Sequence, residues 1–228
     1  MCTVTYIPTT KNNFILTSSR DVPFSREKAL FPKMYKEDST EITYPKDGKA
    51  GGTWIGHSDK KRLICLLNGG FENHYLTASP TIKYRKSRGI IVLDLLKCDT
   101  ISIGLNEINL VQIEPFTLVI IDWNDSLELI EFVWDGRKKH FKKLPHKKHI
   151  WSSATLYDAE MRQMRKNWFS TWKLKDIQRD ILKFHHHAGN GDPNVSVVLK
   201  RENVGTVSIT QVSKQADGVS MNYEEIKR

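Results

Sequence analysis

Cys2, Arg20 and Asp21 are the residues of this chain whose types could do chemistry together. A residue as small as cysteine at position 2 normally permits removal of the initiator methionine, which leaves Cys2 with both a thiol and a free α-amine. That amine titrates near ~8, so around neutrality it can exchange a proton with the side chain, and a guanidinium such as Arg20 favours the thiolate. A carboxylate such as Asp21 could then orient the amine. An ordinary reading stands beside this one: cysteine is often a small buried hydrophobe, and Arg-Asp pairs end many strands.

Bringing these residues together requires a hairpin at the start of the chain. Val4 and Tyr6, then Phe14 and Leu16, alternate with smaller or polar residues as a half-buried strand requires, and Lys11-Asn12-Asn13 tolerates tight-turn dihedrals. Pairing the two runs carries Cys2 toward Arg20 and Asp21. The following stretch from Phe24 to Ala50 is polar, contains Pro32, Pro45 and Gly48, and shows no sustained period, so it reads as a long connection. Ala50-Gly51-Gly52-Thr53-Trp54-Ile55-Gly56 and Arg62 to Glu72 form a second hairpin about Ser58 to Lys61. Its double glycine signals positive φ or close backbone approach. Asn68 ends that strand, where it is either a turn-forming Asn-Gly or an amide pointing into a cleft as an oxyanion donor.

The remaining elements supply cover and more sheet. Ile90 to Lys97 and Thr100 to Leu110 are expected as helices, because strands there would leave the sheets bare. Phe116 to Ile121 and Ser126 to Trp134 form a hairpin about Trp123-Asn124-Asp125, and Lys138 to Lys143 with Ile150 to Thr155 continue that sheet. Tyr157, Met161, Met164, Trp168 and Trp172 recur at helical spacing, capped by Thr155. Asp176 caps a further helix, stopped near Gly189. Its His185-His186-His187 reads as a solvated helix end, since three consecutive helical residues cannot converge on one metal. Asn194 to Leu199 and Gly205 to Val212 are strand-like and rejoin a sheet, followed by a polar, fraying tail with Tyr223.

Composition bounds the function classes. The 228 residues are 39% hydrophobic and 27% charged, ordinary globular values, with no linker or repeat to divide them, so a single domain is expected. The start lacks the features of a secretory signal and the longest apolar runs are too short for a bilayer, which predicts a cytoplasmic protein without stable membrane insertion. Cys2, Cys65 and Cys98 are an odd number at wide spacing, without a CxxC pair for zinc or redox work. The net charge of +9 is concentrated between Arg137 and His149. That run reads as a solvated edge hairpin rather than a nucleic-acid site, because no aromatic-rich binding motif accompanies it.

Taken together, Met1-Cys2-Thr3, Thr17-Ser18-Ser19-Arg20-Asp21, Ala50 to Gly56 and Cys65-Leu66-Leu67-Asn68-Gly69 resemble the transport and Golgi organisation family, also called the NRDE family after its Asn-Arg-Asp-Glu motif. Ser87-Arg88-Gly89, Val133-Trp134-Asp135-Gly136 and Trp151 to Tyr157 resemble its bacterial members, so the likeness spans most of the chain. The resemblance implies an α+β fold: a four-layer αββα sandwich of two antiparallel sheets flanked by helices, similar to N-terminal nucleophile hydrolases, in one domain over residues 1–228. It implies Cys2 as nucleophile with its α-amine as base, Arg20 and Asp21 beside it, and Asn68 in the acyl or oxyanion pocket. Ser19, Trp54 and Ser153 fall on the substrate side. Two positions depart from the pattern: Ser19 and Val22 stand where the motif has asparagine and glutamate, and Ser153 stands where related hydrolases carry a second asparagine.

The function expected from this is an amide or acyl hydrolase, or an acyltransferase, acting through Cys2 on a small-molecule acyl or amide substrate, with no cofactor. The alternative is a non-catalytic carrier or chaperone for haem or for an acyl or lipid ligand. Haem iron would then need an axial ligand, Cys2 or a histidine.

Overall fold

A computed structural model describes residues 3–74, 83–216 and 218–227. The elements in chain order are β1 (Thr3–Pro8), β2 (Phe14–Pro23), β3 (Leu30–Glu37), β4 (Thr40–Lys46), β5 (Ile55–Ser58) and β6 (Arg62–Asn68). Helices α1 (Arg88–Lys97) and α2 (Ile101–Glu107) come next, then β7 (Phe116–Asp122), β8 (Glu128–Trp134), β9 (Lys139–Leu144) and β10 (His149–Ser152). Helices α3 (Ala159–Thr171) and α4 (Ile177–His187) and strands β11 (Val204–Gln215) and β12 (Gly218–Glu225) complete the chain. Two compact units result, one from Met1–Arg26 with His146–Arg228, the other from Glu27–Pro145.

The first unit is a five-stranded antiparallel sheet in the order β10-β1-β2-β11-β12. The expected hairpin is present, with Thr3 opposite Ser19 and Tyr6 opposite Leu16. Side chains alternate across a strand, so Ile7 and Ile15 fall on the face covered by α3 and α4. There they pack with Phe169, Ile181, Phe184 and Val197. Burying a ring such as that of Phe184 contributes about 2–3 kcal/mol, enough to hold α4 on the sheet. The cap of α4 is the expected one, Asp176 accepting from the Arg179 amide. That of α3 is not: Asp158 accepts from the Met161 amide, while the Thr155 hydroxyl lies 3.1 Å from that of Ser153. A charged acceptor satisfies the exposed amides of a helix start better than a hydroxyl already engaged.

The second unit is a seven-stranded antiparallel sheet in sequence order, β3 to β9, with α1 and α2 inserted between β6 and β7 as expected. Gly51 takes a positive φ of 70°. A Cβ on Gly52 would lie 2.4 Å from the Gly89 carbonyl carbon, and the Thr53 amide donates to the Gly89 carbonyl. The double glycine therefore lets the start of α1 press directly on backbone.

Four readings of the sequence are corrected. Phe24 to Ala50 is no loop but contains β3 and β4, joined at Asp38, whose φ is 56°. A register break between Leu30 and Lys33 disrupts the alternation, and β3 is an exposed edge, so neither period nor apolar face was visible. Ile150 to Thr155 does not extend the sheet of β9: β10 pairs with β1, Trp151 opposite Val4. Asn194 to Leu199 forms turns rather than a strand, bound by the Val197 amide to the Ala188 carbonyl. The tail around Tyr223 is β12, paired with β11 over its full length.

Candidate functional site

In the first unit β2 carries Ser19, Arg20 and Asp21 at consecutive positions, all buried. Consecutive strand residues point to opposite faces, so the structure separates this trio. Ser19 and Asp21 face the helices, whereas Arg20 shares the other face with Ser18 and with Val4 and Tyr6 of β1.

On the helix face, Asp21 is held from two sides. The Tyr157 hydroxyl donates to Oδ2 at 2.5 Å and the Thr206 hydroxyl to Oδ1 at 2.5 Å. The guanidinium of Arg165 lies 3.6 Å from the centre of the Tyr157 ring. It donates to the Thr3 hydroxyl and to the carbonyls of Val195 (3.0 Å) and Ser196 (2.7 Å). Asp21, Tyr157, Thr206, Arg165 and Thr3 are all buried. A carboxylate inside a protein needs donors and a compensating cation; Tyr157 and Thr206 are the donors, and Arg165, against the same ring, is the cation. Burial, and then the charge of Asp21, push the Tyr157 phenol well above its ordinary value. It therefore stays protonated and keeps donating across the working pH range.

His185 completes this face. Its Nδ1 lies 2.7 Å from the Ser19 hydroxyl and its Nε2 2.8 Å from that of Thr5. Burial, aided by His186 and Arg165, drives its pKa down to about 3. The ring is thus neutral, one nitrogen donating and the other accepting. The reading of residues 185–187 as a solvated helix end is corrected for His185, which is fully buried. His186 instead meets Glu224 at 3.1 Å, and His187 is exposed. As expected, the three do not converge.

On the other face, Arg20 is only 2% exposed and stands across from Ser208, as Ser18 stands across from Thr210. A bulge at Val207 makes this possible. It lets Thr206 reach Asp21 on one face while Ser208 sits opposite Arg20 on the other. The hydroxyls of Ser18 and Thr210 are fully buried without a hydrogen-bond partner among the described residues. Burial raises the Tyr223 phenol, opposite Thr210, while the Arg20 charge pulls it back. This face therefore carries polar side chains at its centre, Arg20 among them.

The other proposed site residues lie as follows. Ser153 comes directly after β10 and is buried; its carbonyl accepts from the Tyr157 amide, so it opens the turn that delivers Tyr157 to Asp21. Trp54 and Asn68 belong to the second unit. The Trp54 carbonyl accepts from the Leu66 amide at 2.8 Å, and half-buried Asn68 ends β6 opposite Phe116. Gly69 follows it with a φ of 85°, which any turn-forming Asn-Gly would require. Cys2 lies outside the described residues. Cys65 and Cys98 form no disulfide among the described residues, and burial raises the thiol pKa of Cys98.

Arg165 and Thr206 were not singled out from the sequence, and Tyr157 and His185 were read there only as helix residues. Arg165 had a legible signal, for it sits midway between Met161 and Phe169 at intervals of four, on the buried side of α3. A cation on an apolar stripe demands an internal partner.

The family model described as Transport and Golgi organisation 2 matches residues 1–217. No curated protein matches the chain by sequence. Among solved structures, an N-acylethanolamine-hydrolyzing acid amidase orthologue from Caenorhabditis elegans is similar with a TM-score of 0.62 at 11% identity, over 92% of each chain. The C2A mutant of conjugated bile acid hydrolase from Clostridium perfringens is similar with a TM-score of 0.52 at 10% identity, over 99% of this chain and 92% of that one. These likenesses show the fold, N-terminal nucleophile hydrolase-like, with two antiparallel sheets flanked by helices. The chain belongs to the Transport and Golgi organisation 2 family.

Proposed function

We propose that the chain is an N-terminal cysteine hydrolase or acyltransferase for a small amide or acyl substrate. Cys2 Sγ attacks the carbonyl, and the Cys2 α-amine takes the thiol proton and returns it to the leaving amine. Water or an acceptor then cleaves the thioester. Backbone amides are assigned to the oxyanion, with Ser153 about the substrate; Ser19, turned to the helices and held by His185, is left out of it. The observation that carries the reading is the buried guanidinium of Arg20, on the face it shares with Val4 and Tyr6 of the strand that begins at Thr3. A cation so poorly solvated lowers the pKa of a neighbouring thiol. Arg20 and Asp21 then have separate duties: Arg20 favours the thiolate, and Asp21, tied to Tyr157 and Thr206, holds β2 in place.

The similar solved structures support the reaction class, since one is named for hydrolysing N-acylethanolamines and another for hydrolysing conjugated bile acids. The second was crystallised with its position-2 cysteine replaced, and this chain also has cysteine there.

The test is burst release of amine from a panel of acyl amides, with intact-mass detection of an acyl adduct. The expected result is an adduct on Cys2 that Cys2→Ala abolishes. Alkylation of Cys2 no faster than that of Cys98, with no adduct from any acyl amide, would overturn the assignment. The carrier reading predicts instead a saturable haem Soret shift without turnover. His185 is a poor axial ligand, because both its ring nitrogens are committed to Thr5 and Ser19.

A further inference from the structure

The two sheets end in four edge strands, β10 and β12 in the first unit and β3 and β9 in the second. An edge offers a row of backbone amides and carbonyls to any extended chain that meets it, and three of these four are protected against such pairing. β10 is only four residues long. β3 contains Pro32, which has no amide hydrogen, and its register breaks between Leu30 and Lys33. β9 carries Lys139, Lys142 and Lys143 along its six residues, so pairing with its own equivalent would bring ammonium groups together.

β12 has none of these devices. Its eight residues, Gly218–Glu225, include neither proline nor lysine, and its pairing with β11 runs unbroken from Ser208 opposite Glu225 to Gln215 opposite Gly218. The Ile226 amide donates to the Val207 carbonyl at 2.9 Å. Inward and outward backbone groups alternate along an antiparallel strand, so Val219, Met221, Tyr223 and Glu225 turn their amides and carbonyls away from β11.

A second copy of the strand fits this edge residue by residue. A two-fold axis perpendicular to the sheet keeps every side chain on its own face, so the axis must pass between a residue and its own equivalent. With the axis at Asn222, two side-chain amides meet, and each can both donate and accept. Met221 then stands opposite Tyr223 of the second copy, a thioether beside an aromatic ring, and Ser220 stands opposite Glu224, a hydroxyl donor beside a carboxylate. Val219 opposite Glu225 closes each end. Glu224 and Glu225 are the charged residues of the strand, and neither meets its like. The two copies of Glu224 lie about 13 Å apart along the strands and those of Glu225 about 20 Å, beyond the screening length of about 8 Å at physiological salt.

We propose that the protein forms a homodimer by antiparallel pairing of β12 with β12 of a second copy about a two-fold axis at Asn222, which joins two five-stranded sheets into one continuous sheet. Met221 of each copy exchanges backbone hydrogen bonds with Tyr223 of the other. The proposal is independent of the chemistry assigned to Cys2.

Light scattering on the full chain, with cysteine crosslinking under mild oxidation, tests it. The wild type is expected to be a dimer at micromolar concentration. Asn222→Cys should give a disulfide-linked dimer, because the opposed residues of a non-hydrogen-bonded antiparallel pair stand about 4.5 Å apart at Cα, within disulfide reach. Ser220→Cys, displaced along the strand from its equivalent, should crosslink no more than the wild type. Met221→Pro removes an amide that β11 does not use, so it should give a monomer with the wild-type circular dichroism spectrum. Asn222 is exposed, so Asn222→Lys keeps the monomer fold while opposing two ammonium groups, and it should weaken the dimer about fivefold or more. A monomeric wild type overturns the proposal and leaves the edge to a strand from another protein. A dimer that Asn222→Cys fails to lock, or that both Met221→Pro and Asn222→Lys leave intact, also overturns it, because the contact then lies on another surface.

Discussion

A buried carboxylate is only as comfortable as its donors, and Asp21 has two hydroxyls at 2.5 Å and a guanidinium against the ring of one donor. Tyr157→Phe removes a donor and leaves one carboxylate oxygen unsatisfied, a cost of about 1–3 kcal/mol in urea unfolding. Arg165→Met removes the cation from the same network and also frees the Thr3 hydroxyl and two carbonyls, so a larger loss of roughly 3–5 kcal/mol is expected. A loss from Arg165→Met no greater than that from Tyr157→Phe would show that Arg165 is not the compensating charge. Arg20 has a chemical readout instead: Arg20→Met should raise the pH midpoint of Cys2 alkylation by about one to three units, and an unchanged midpoint would remove Arg20 from the proposed mechanism. The Arg-Asp pair was visible in the sequence. That its two members serve opposite faces follows from strand alternation once β2 is known to run through both.

Among the elements, α1 shows how a small residue decides a contact. The start of the helix meets Gly52 backbone to backbone, so Gly52→Ala must push the strand segment or the helix aside. Neither neighbour is a flexible side-chain end, and the expected destabilisation is about 3 kcal/mol or more in thermal melts. Wild-type stability in that variant would mean that α1 docks less closely than described. The double glycine and the cap at Asp176 could be read from residue types, because each depends on local backbone requirements, whereas the two helices after residue 87 were read from the need of the sheets for cover. Strand β12 also left a trace, since Val219, Met221 and Tyr223 alternate with polar residues and are half-buried. Strand β3 left none, because an exposed edge with a broken register has no face to reveal.

For the whole molecule, buried histidines tie stability to pH. His185 has a folded-state pKa of about 3 against an ordinary 6.5, and burial holds His57 of the second unit at about 4. Below pH 6.5 the unfolded chain binds protons that the folded chain refuses, so this stability is complete above pH 6.5 and is lost as the pH falls. For His185 the loss is about 1.4 kcal/mol per pH unit down to about pH 3. Melting temperatures should fall between pH 7 and pH 4.5, and less steeply in His185→Gln. Equal slopes for the two proteins would mean that His185 is protonated in the folded state.

Motifs carried in order along the chain were sufficient for the family and, through that resemblance, for the fold class, and residue types and spacing were sufficient for the first hairpin, because it rests on local pattern. Tertiary structure alone decided that β10 turns to β1 instead of prolonging the sheet of β9, that His185 is sealed between Thr5 and Ser19, and that Tyr157, Thr206 and Arg165 gather around Asp21. Apart from Arg165 against the Tyr157 ring, those contacts join residues more than a hundred positions apart, where the partner is chosen by burial and hydrogen-bond satisfaction over the folded unit and leaves no period or spacing in the sequence.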